Sequence, residues 1–305
     1  MIQLFYNGVN ITDSVSVNRC YHDMYAGGHS DTLHLRVNDP ENIWDTWAPA
    51  ANDEIRIDYG DISTGTMFVS DIVPSNGFYE ISAQSAPRSA FDRQNKAWQK
   101  VRLLQIGEEI AKRNGLTFNS YGVEDRLYSY LSQADGDLRF LNHLARLEGC
   151  AILVYDRNLV MYSEQEMEAN QPSESIVLTA DTDYKYTDRS AGLYGTCVVQ
   201  SGMYSGEFSL NNGASRILMP DVMPVAGSDD EAARFAKNIL REANKDCYVG
   251  YLYSSIMPGY APASMLKLTN ERAPSWNGNV FITHIRNDYR NDKSKIFFRK
   301  PLEGY

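Results

Sequence analysis

The chain has 305 residues, 43% of them hydrophobic, with 39 acidic against 29 basic side chains and a formal net charge of −10. Its length and apolar content supply two or three ordinary cores, and its acidic balance excludes a coat for nucleic acid, because phosphate binding needs clustered cations. The opening Met1-Ile2-Gln3-Leu4-Phe5-Tyr6 lacks the basic region and long apolar run of a secretory signal, and nothing approaches ~18 consecutive apolar residues, so folding in a cytoplasm without membrane insertion is expected.

Residues 2–6 read as a short strand and Asn7-Gly8 as a turn, and residues 14–21 and 32–37 alternate as half-covered strands do. After Asp39-Pro40, residues 42–47 form a short irregular or helical excursion. Three strands follow at 53–60, 65–72 and 78–83, regular enough for a small barrel or sandwich. From 97 to 113 the pattern turns helical, with Trp98, Val101, Leu104, Ile106 and Ile110 apolar and Asn114-Gly115 as the stop. A polar, tyrosine-bearing connection leads to a second helix over 137–149, where Leu138, Leu141 and Ala145 recur at helical spacing and Phe140, Leu144 and Leu147 widen the face. Asp135 or Asp137 is expected to accept the free amide protons at its start, and Gly149 to end it. Residues 151–155 and 159–162 form a hairpin around Asp156-Arg157-Asn158, and 165–174, acidic and carrying Pro172, reads as a linker.

The remainder is again β-patterned, with strands at 175–178, 184–187, 194–200, 248–254, 264–269, 279–287 and 295–300. One helix interrupts it: Ser228-Asp229-Asp230-Glu231 is a capping box, and Ala232, Phe235, Ile239 and Ala243 continue one apolar face. An internal echo links the two β regions. Gly65-Thr66-Met67-Phe68-Val69-Ser70-Asp71-Ile72 and Gly278-Asn279-Val280-Phe281-Ile282-Thr283-His284-Ile285 share Gly-x-x-Phe, a β-branched aliphatic, a hydroxyl residue and Ile. Each follows an alternating strand, Ile55-Arg56-Ile57 or Leu266-Lys267-Leu268, which predicts two versions of one motif.

Candidate chemistry is sparse. Asp135 and Asp137 could be an acid/base pair for sugar hydrolysis, but their place at a helix start favours capping. His22, Asp23, His29 and Asp31 surround Gly27-Gly28 without a metal-ligand spacing, so a polar loop is the better reading. Cys20, Cys150, Cys197 and Cys247 form no C-x-x-C pattern and read as buried reduced thiols. No Gly-x-Ser-x-Gly elbow occurs, and Gly202-Met203-Tyr204-Ser205-Gly206 lacks the lysine and helix of a phosphate loop. Trp44 and Trp47 suit a core or subunit contact better than a sugar platform, Tyr251 and Tyr253 share one strand face, and residues 219–225 look like an extended loop suited to a partner. No catalytic, cofactor or metal site is therefore assigned.

Three places resemble the baseplate hub, or late control D, proteins of contractile phage tails and tail-like injection systems, akin to the first half of VgrG spike proteins. They are Asp53-x-Ile55-x-Ile57-x-Tyr59-Gly60 leading to Gly65-x-x-Phe68, then Asp137-Leu138-Arg139-Phe140-Leu141-x-x-Leu144-Ala145-x-x-x-Gly149, and last Gly278-x-x-Phe281-Ile282-Thr283-x-Ile285. The resemblance implies a mainly β chain with α+β insertions: two similar small β-barrel tube domains, 1–88 and 166–305, joined by an α/β unit at 89–165, the second barrel interrupted by a helix at about 229–244. It implies a non-enzymatic homotrimer in the virion baseplate, a ring adapting the sixfold tail tube to the threefold spike, with tube, spike, other baseplate and tape measure proteins as partners. Sequence-specific nucleic-acid binding is not implied. An acidic bore that repels DNA, and a central helix that fixes one barrel against the other, are further expectations. A tail-tip cell-wall hydrolase and a monomeric carbohydrate-binding protein are the alternatives.

Overall fold

The computed structural model describes residues 2–211 and 213–305, and it is mainly β with several short helices. Six strands come first: β1 (Ile2–Tyr6), β2 (Ser16–Tyr25), β3 (Thr32–Asn38), β4 (Glu54–Tyr59), β5 (Met67–Ser75) and β6 (Phe78–Gln84). A short helix, α1 (Ile43–Trp47), lies between β3 and β4. Alternation decides what these strands bury. Leu33, Leu35 and Val37 of β3 and Tyr79, Ile81 and Ala83 of β6 turn inward to Leu4, Ile55, Ile57, Met67 and Trp44.

The middle of the chain departs from the pattern read in the sequence. It contains β7 (Lys96–Arg102), α2 (Leu103–Arg113), β8 (Thr117–Tyr121), β9 (Leu127–Gln133), α3 (Asp137–Leu147), β10 (Cys150–Tyr155), β11 (Asn158–Ser163) and α4 (Glu164–Ala169). The helix expected over 97–113 is strand for its first part, because β9 pairs antiparallel with β7 and the Trp98 Nε1 donates to Gln133 Oε1 at 3.1 Å. The tyrosine-bearing connection therefore holds two strands. Gly149 ends the central helix at φ +71°, and Asp156 and Arg157 both take positive φ in the β10–β11 turn. The expected linker is helical over its first half: Ser163 Oγ caps it, and Glu168 is held by buried Arg241, at 2.6 Å, and Arg299.

The last part supplies β12 (Glu174–Leu178), β13 (Tyr184–Asp188), β14 (Tyr194–Ser201), β15 (Tyr204–Ser209), β16 (Arg216–Leu218), α5 (Asp229–Asn244), β17 (Tyr248–Ser254), β18 (Met265–Asn270), β19 (Gly278–Asp288) and β20 (Lys293–Arg299). Ser228 Oγ accepts the Glu231 N–H at 3.2 Å, but the Glu231 carboxylate reaches Gly227 N instead of completing the box. Strands β14 to β16 and helix α5 leave the second half and join α2, α3 and β10 in one core that includes Ile110, Leu141, Leu144, Val199, Phe235 and Leu240. Gly206 permits this, since any side chain there would meet the backbone of Ala232 and Ala233 at the start of α5. All four cysteines are free and buried, and burial pushes the Cys20 and Cys150 thiols up to about 12.

Both halves lie in one hydrogen-bonded sheet, in the order β13, β17, β20, β19, β2, β3, β6, β5, β4, β1, with β18 on β19 and β12 on β18. Two two-residue strands, Val9–Asn10 and Ile62–Ser63, pair at its margin. The ladder is an open path: among the described residues no strand pairing closes either half into a ring. The direct seam between the halves is the antiparallel pair β2 with β19, Tyr21–Tyr25 against residues 284–288. The central helix packs chiefly on β10, α5 and α2, and its Asn142 and Arg146 line a cavity with Ala26 of the first half and Phe281 and Thr283 of the second.

Candidate functional site

The sequence echo extends into three dimensions strand by strand. β4 pairs with β5 as β18 pairs with β19: Ile55 faces Met67 and Glu54 faces Phe68, while Leu266 faces Val280 and Met265 faces Phe281. Both long strands then bulge at the echoed hydroxyl residue. The register shifts between Val69 and Asp71 against β6, and between Ile282 and His284 against β20. Ser70 Oγ donates to Ser82 O, and Thr283 Oγ1 to Phe297 O, each at 3.2 Å. The residues just before β4 and β18, Asn52 and Ala263, both adopt left-handed backbone and donate their N–H to Val69 O and Ile282 O. In both halves the chain order is the same, so β2 corresponds to β13, β3 to β17 and β6 to β20, with Leu35 and Leu252 each facing the echoed Ile81 and Ile296.

At the seam, charge sits inside the strand pair. The Asp23 carboxylate, 1% exposed, accepts from His284 Nε2 at 2.6 Å and Arg286 Nε at 2.8 Å. Burial opposes its ionisation, but these two bonds outweigh burial and hold the carboxyl below its usual range. On the other face His22, kept neutral by burial that lowers it to about 4, lies 3.0 Å from the Tyr289 hydroxyl. Asp31 accepts the Tyr25 N–H at 2.8 Å, and burial pushes it up to about 7. These residues therefore do not converge as the metal alternative required, and no group of three or more His, Cys, Asp or Glu that could hold an ion occurs among the described residues.

The sheet face turned away from the cores presents a row of rings across four strands: Tyr251, Phe297, His284 and Tyr25, with successive centroids 5.9, 4.6 and 4.4 Å apart. Tyr251 and Tyr253 share this face as expected, and Lys295 Nζ lies 4.0 Å from the Tyr251 centroid. Within the eight strands from β13 to β5, register places Arg19, Arg36, Lys185, Arg286, Lys293 and Lys295 here with Asp23, Asp71, Glu80 and Asp288.

The remaining candidates have structural posts. Asp137 does not cap its helix; fully buried, it accepts from Arg113 Nη1 at 3.0 Å, Asn114 Nδ2 at 2.9 Å and Gln133 Nε2 at 2.8 Å, tying α2 and β9 to α3. Asp135 accepts the Gly136 N–H and pairs with Arg139 at 3.2 Å on the surface. Trp44 is buried among Tyr6, Tyr79 and the half-exposed Trp47. Residues 219–225 are a loop with Pro224 buried and with Val222 and Val225 more than four-fifths exposed (83% and 84%). What the sequence did not disclose is the seam and the open edges of the sheet, since main-chain pairing across 260 residues leaves no local signal.

These features define a β-rich protein built by duplication, its two copies fused edge to edge through one strand pair. No protein-family model and no curated protein matches the sequence. Among solved structures the fold is similar to the 43 kDa tail protein of prophage MuSo2 from Shewanella oneidensis, at 14% identity over 98% of both chains with a TM-score of 0.78. It is also similar to a tail protein from Neisseria meningitidis MC58, at 10% identity, 98% and 96% coverage and a TM-score of 0.73. The E. coli c3393 protein, a type VI secretion component described as structurally similar to the T4 tail proteins gp27 and gp5, matches at 14% identity over 99% of this chain and 78% of its own, with a TM-score of 0.64. The chain thus has the fold of phage tail proteins and of this secretion-system component.

Proposed function

We propose that the chain is a structural baseplate hub protein of a contractile phage tail or tail-like particle, acting as a homotrimeric ring that adapts a sixfold tube to a threefold spike. The observation that carries this reading is the duplication: five strands recur in the same chain order inside one continuous sheet, and β4 to β6 share their register and bulge with β18 to β20. Three such chains present six similar β units, which match a sixfold tube while the trimer itself retains threefold symmetry. In this reading each half curls as a small tube-domain barrel, the intervening unit and α5 buttress the outside, and the loop at 219–225 meets baseplate partners. The sheet face turned away from the cores would line the bore. Its cations slightly outnumber its carboxylates, which argues against the acidic bore expected from net charge.

A hydrolytic role is disfavoured by one specific fact: Asp137, the acid that such chemistry would use, is fully buried and occupied by three donors. Native mass measurement and negative-stain imaging test the hub. The expected result is a species of three times 34.5 kDa with six similar lobes around a hole; a monomer that clears peptidoglycan in a zymogram would overturn it.

A further inference from the structure

The internal seam uses only one of two equivalent strand edges. Along β19, residues 278–281 pair with β18 and residues 284–288 pair with β2. The corresponding strand β5 pairs with β4 at Met67 and Phe68, but its second part, residues 71–75, has no strand on that edge among the described residues. The strand that corresponds to β2 is β13, which among the described residues pairs with β17 alone. The chain therefore ends its duplicated sheet with one unused copy of each seam partner.

We infer that the free edge of β5 takes the free edge of β13 from a second copy of this chain, repeating the β2–β19 seam between molecules. The inference rests on the hub reading for its ring, but the contact itself follows from register. His284 faces Tyr25, Ile285 faces Met24 and Arg286 faces Asp23. Replacing each by its counterpart sets Asp71 against Arg189 of the next copy, Ile72 against Asp188, Val73 against Thr187, Pro74 against Tyr186 and Ser75 against Lys185.

Three independent features suit that register. Main-chain groups point the right way: Ala26 N–H donates to Thr283 O and Tyr289 N–H to Cys20 O, so alternate residues 285 and 287 face the seam, and by equivalence Ile72 and Pro74 face the free edge. On β13, Tyr253 N–H donates to Asp183 O and Arg189 N–H to Cys247 O, which leaves Tyr184, Tyr186 and Asp188 directed outward. Ile72 and Asp188 can then exchange two hydrogen bonds, and Tyr186 N–H can donate to Pro74 O. Side chains match as well: exposed Asp71 meets exposed Arg189, and Val73, 53% exposed, meets Thr187, a β-branched pair. Pro74 supplies no N–H, so the contact between copies has fewer bonds than the internal seam. That makes the pairing weaker and limits promiscuous strand addition at the same edge.

The contact is head-to-tail, so repetition closes a ring when the rotation per copy permits. The test is a cysteine pair. Val73→Cys and Thr187→Cys occupy a non-hydrogen-bonded pair, whose side chains approach closely enough for a disulfide, and the native cysteines are buried. Oxidation of the double variant is expected to give covalent oligomers on a non-reducing gel, while Val73→Cys with Lys185→Cys, two residues out of register, gives monomer. A second arm uses charge: Asp71→Arg and Arg189→Asp each weaken self-association, by about two- to fivefold, and the double reversal restores it. A ring in negative stain with no Val73–Thr187 cross-link, or with a Lys185 cross-link instead, overturns this contact and leaves the hub reading standing. A chain that stays monomeric and uncross-linked at every attainable concentration, and with tube and spike proteins added, overturns both.

Discussion

Replacing Asp137 by Asn separates a buried tie from a helix cap. The carboxylate is fully buried, with Arg113 and Gln133 on one oxygen and Asn114 on the other. An amide can keep the two donors on its oxygen only by turning its own NH₂ toward Asn114, so one bond to a charged acceptor is lost and two donors confront each other. Arg113 also loses its buried counter-charge, although its side chain is 28% exposed and keeps Glu109 at 2.9 Å. One such bond is worth about 1.5–3 kcal/mol, and an uncompensated partner raises the total to about 2–4 kcal/mol. In a chain of this size that lowers the melting midpoint by roughly 3–6 °C. Asp135→Asn is the control: its partner Arg139 is 78% exposed, its amide oxygen can still accept from Gly136, and the change costs about 0–1 kcal/mol. Differential scanning fluorimetry on the two variants reads the contrast directly. Equal melting of both would refute the assignment of Asp137 as a three-way tie.

Asp31 should give the protein a pH signature. Burial raises it to about 7 in the folded chain, above its unfolded value near 4, so the folded state holds a proton that the unfolded state releases between about pH 4 and 7, and stability falls as pH rises through that window. Asp31→Asn should match the wild type near pH 4 and exceed it above pH 7 by an amount on the order of 2–4 kcal/mol, read from urea midpoints across pH. Ser70→Ala and Thr283→Ala should each cost about 1 kcal/mol by removing the bulge hydrogen bond, and the double variant should show the sum, because the sites share no partner. Leu141→Asp places a charge in a fully buried site and should cost more than about 4 kcal/mol, seen as insoluble protein or loss of near-ultraviolet dichroism.

Local chemistry was legible where one residue type has one use. Ser228 and the four-residue spacing of Phe235 and Ile239 set α5 at residues 229–244, and Asp156-Arg157-Asn158 marked the hairpin turn. The Gly-x-x-Phe echo disclosed the duplication because the same bulge needs the same small hydroxyl residue. Trp98 and Val101 misled, since a three-residue step fits a helix as well as a strand whose Lys100 takes left-handed backbone. Asp137 misled because a carboxylate at a helix start looks the same whether it meets the helix's own amides or the side chains of Arg113, Asn114 and Gln133. The seam and the free edges of β5 and β13 are written in backbone amides, which every residue but proline carries alike.

The seam also sets an order of events in synthesis. Residues 21–25 find their partners at 284–288, so the edge of β2 emerges from the ribosome long before the strand that covers it exists. The first half draws most of its core from its own strands, Leu33, Leu35, Ile57 and Ile81 among them, but Ile256 and Tyr289 of the second half complete it, and joining the halves requires closing a loop of some 260 residues, a step that high sequence separation makes slow. Until then β2 is an uncovered strand in a cell that is making many copies of the same chain. A premature partner for it would be β19 of a neighbour, the swap most accessible to this topology, and retardation of refolding with rising protein concentration is its kinetic trace.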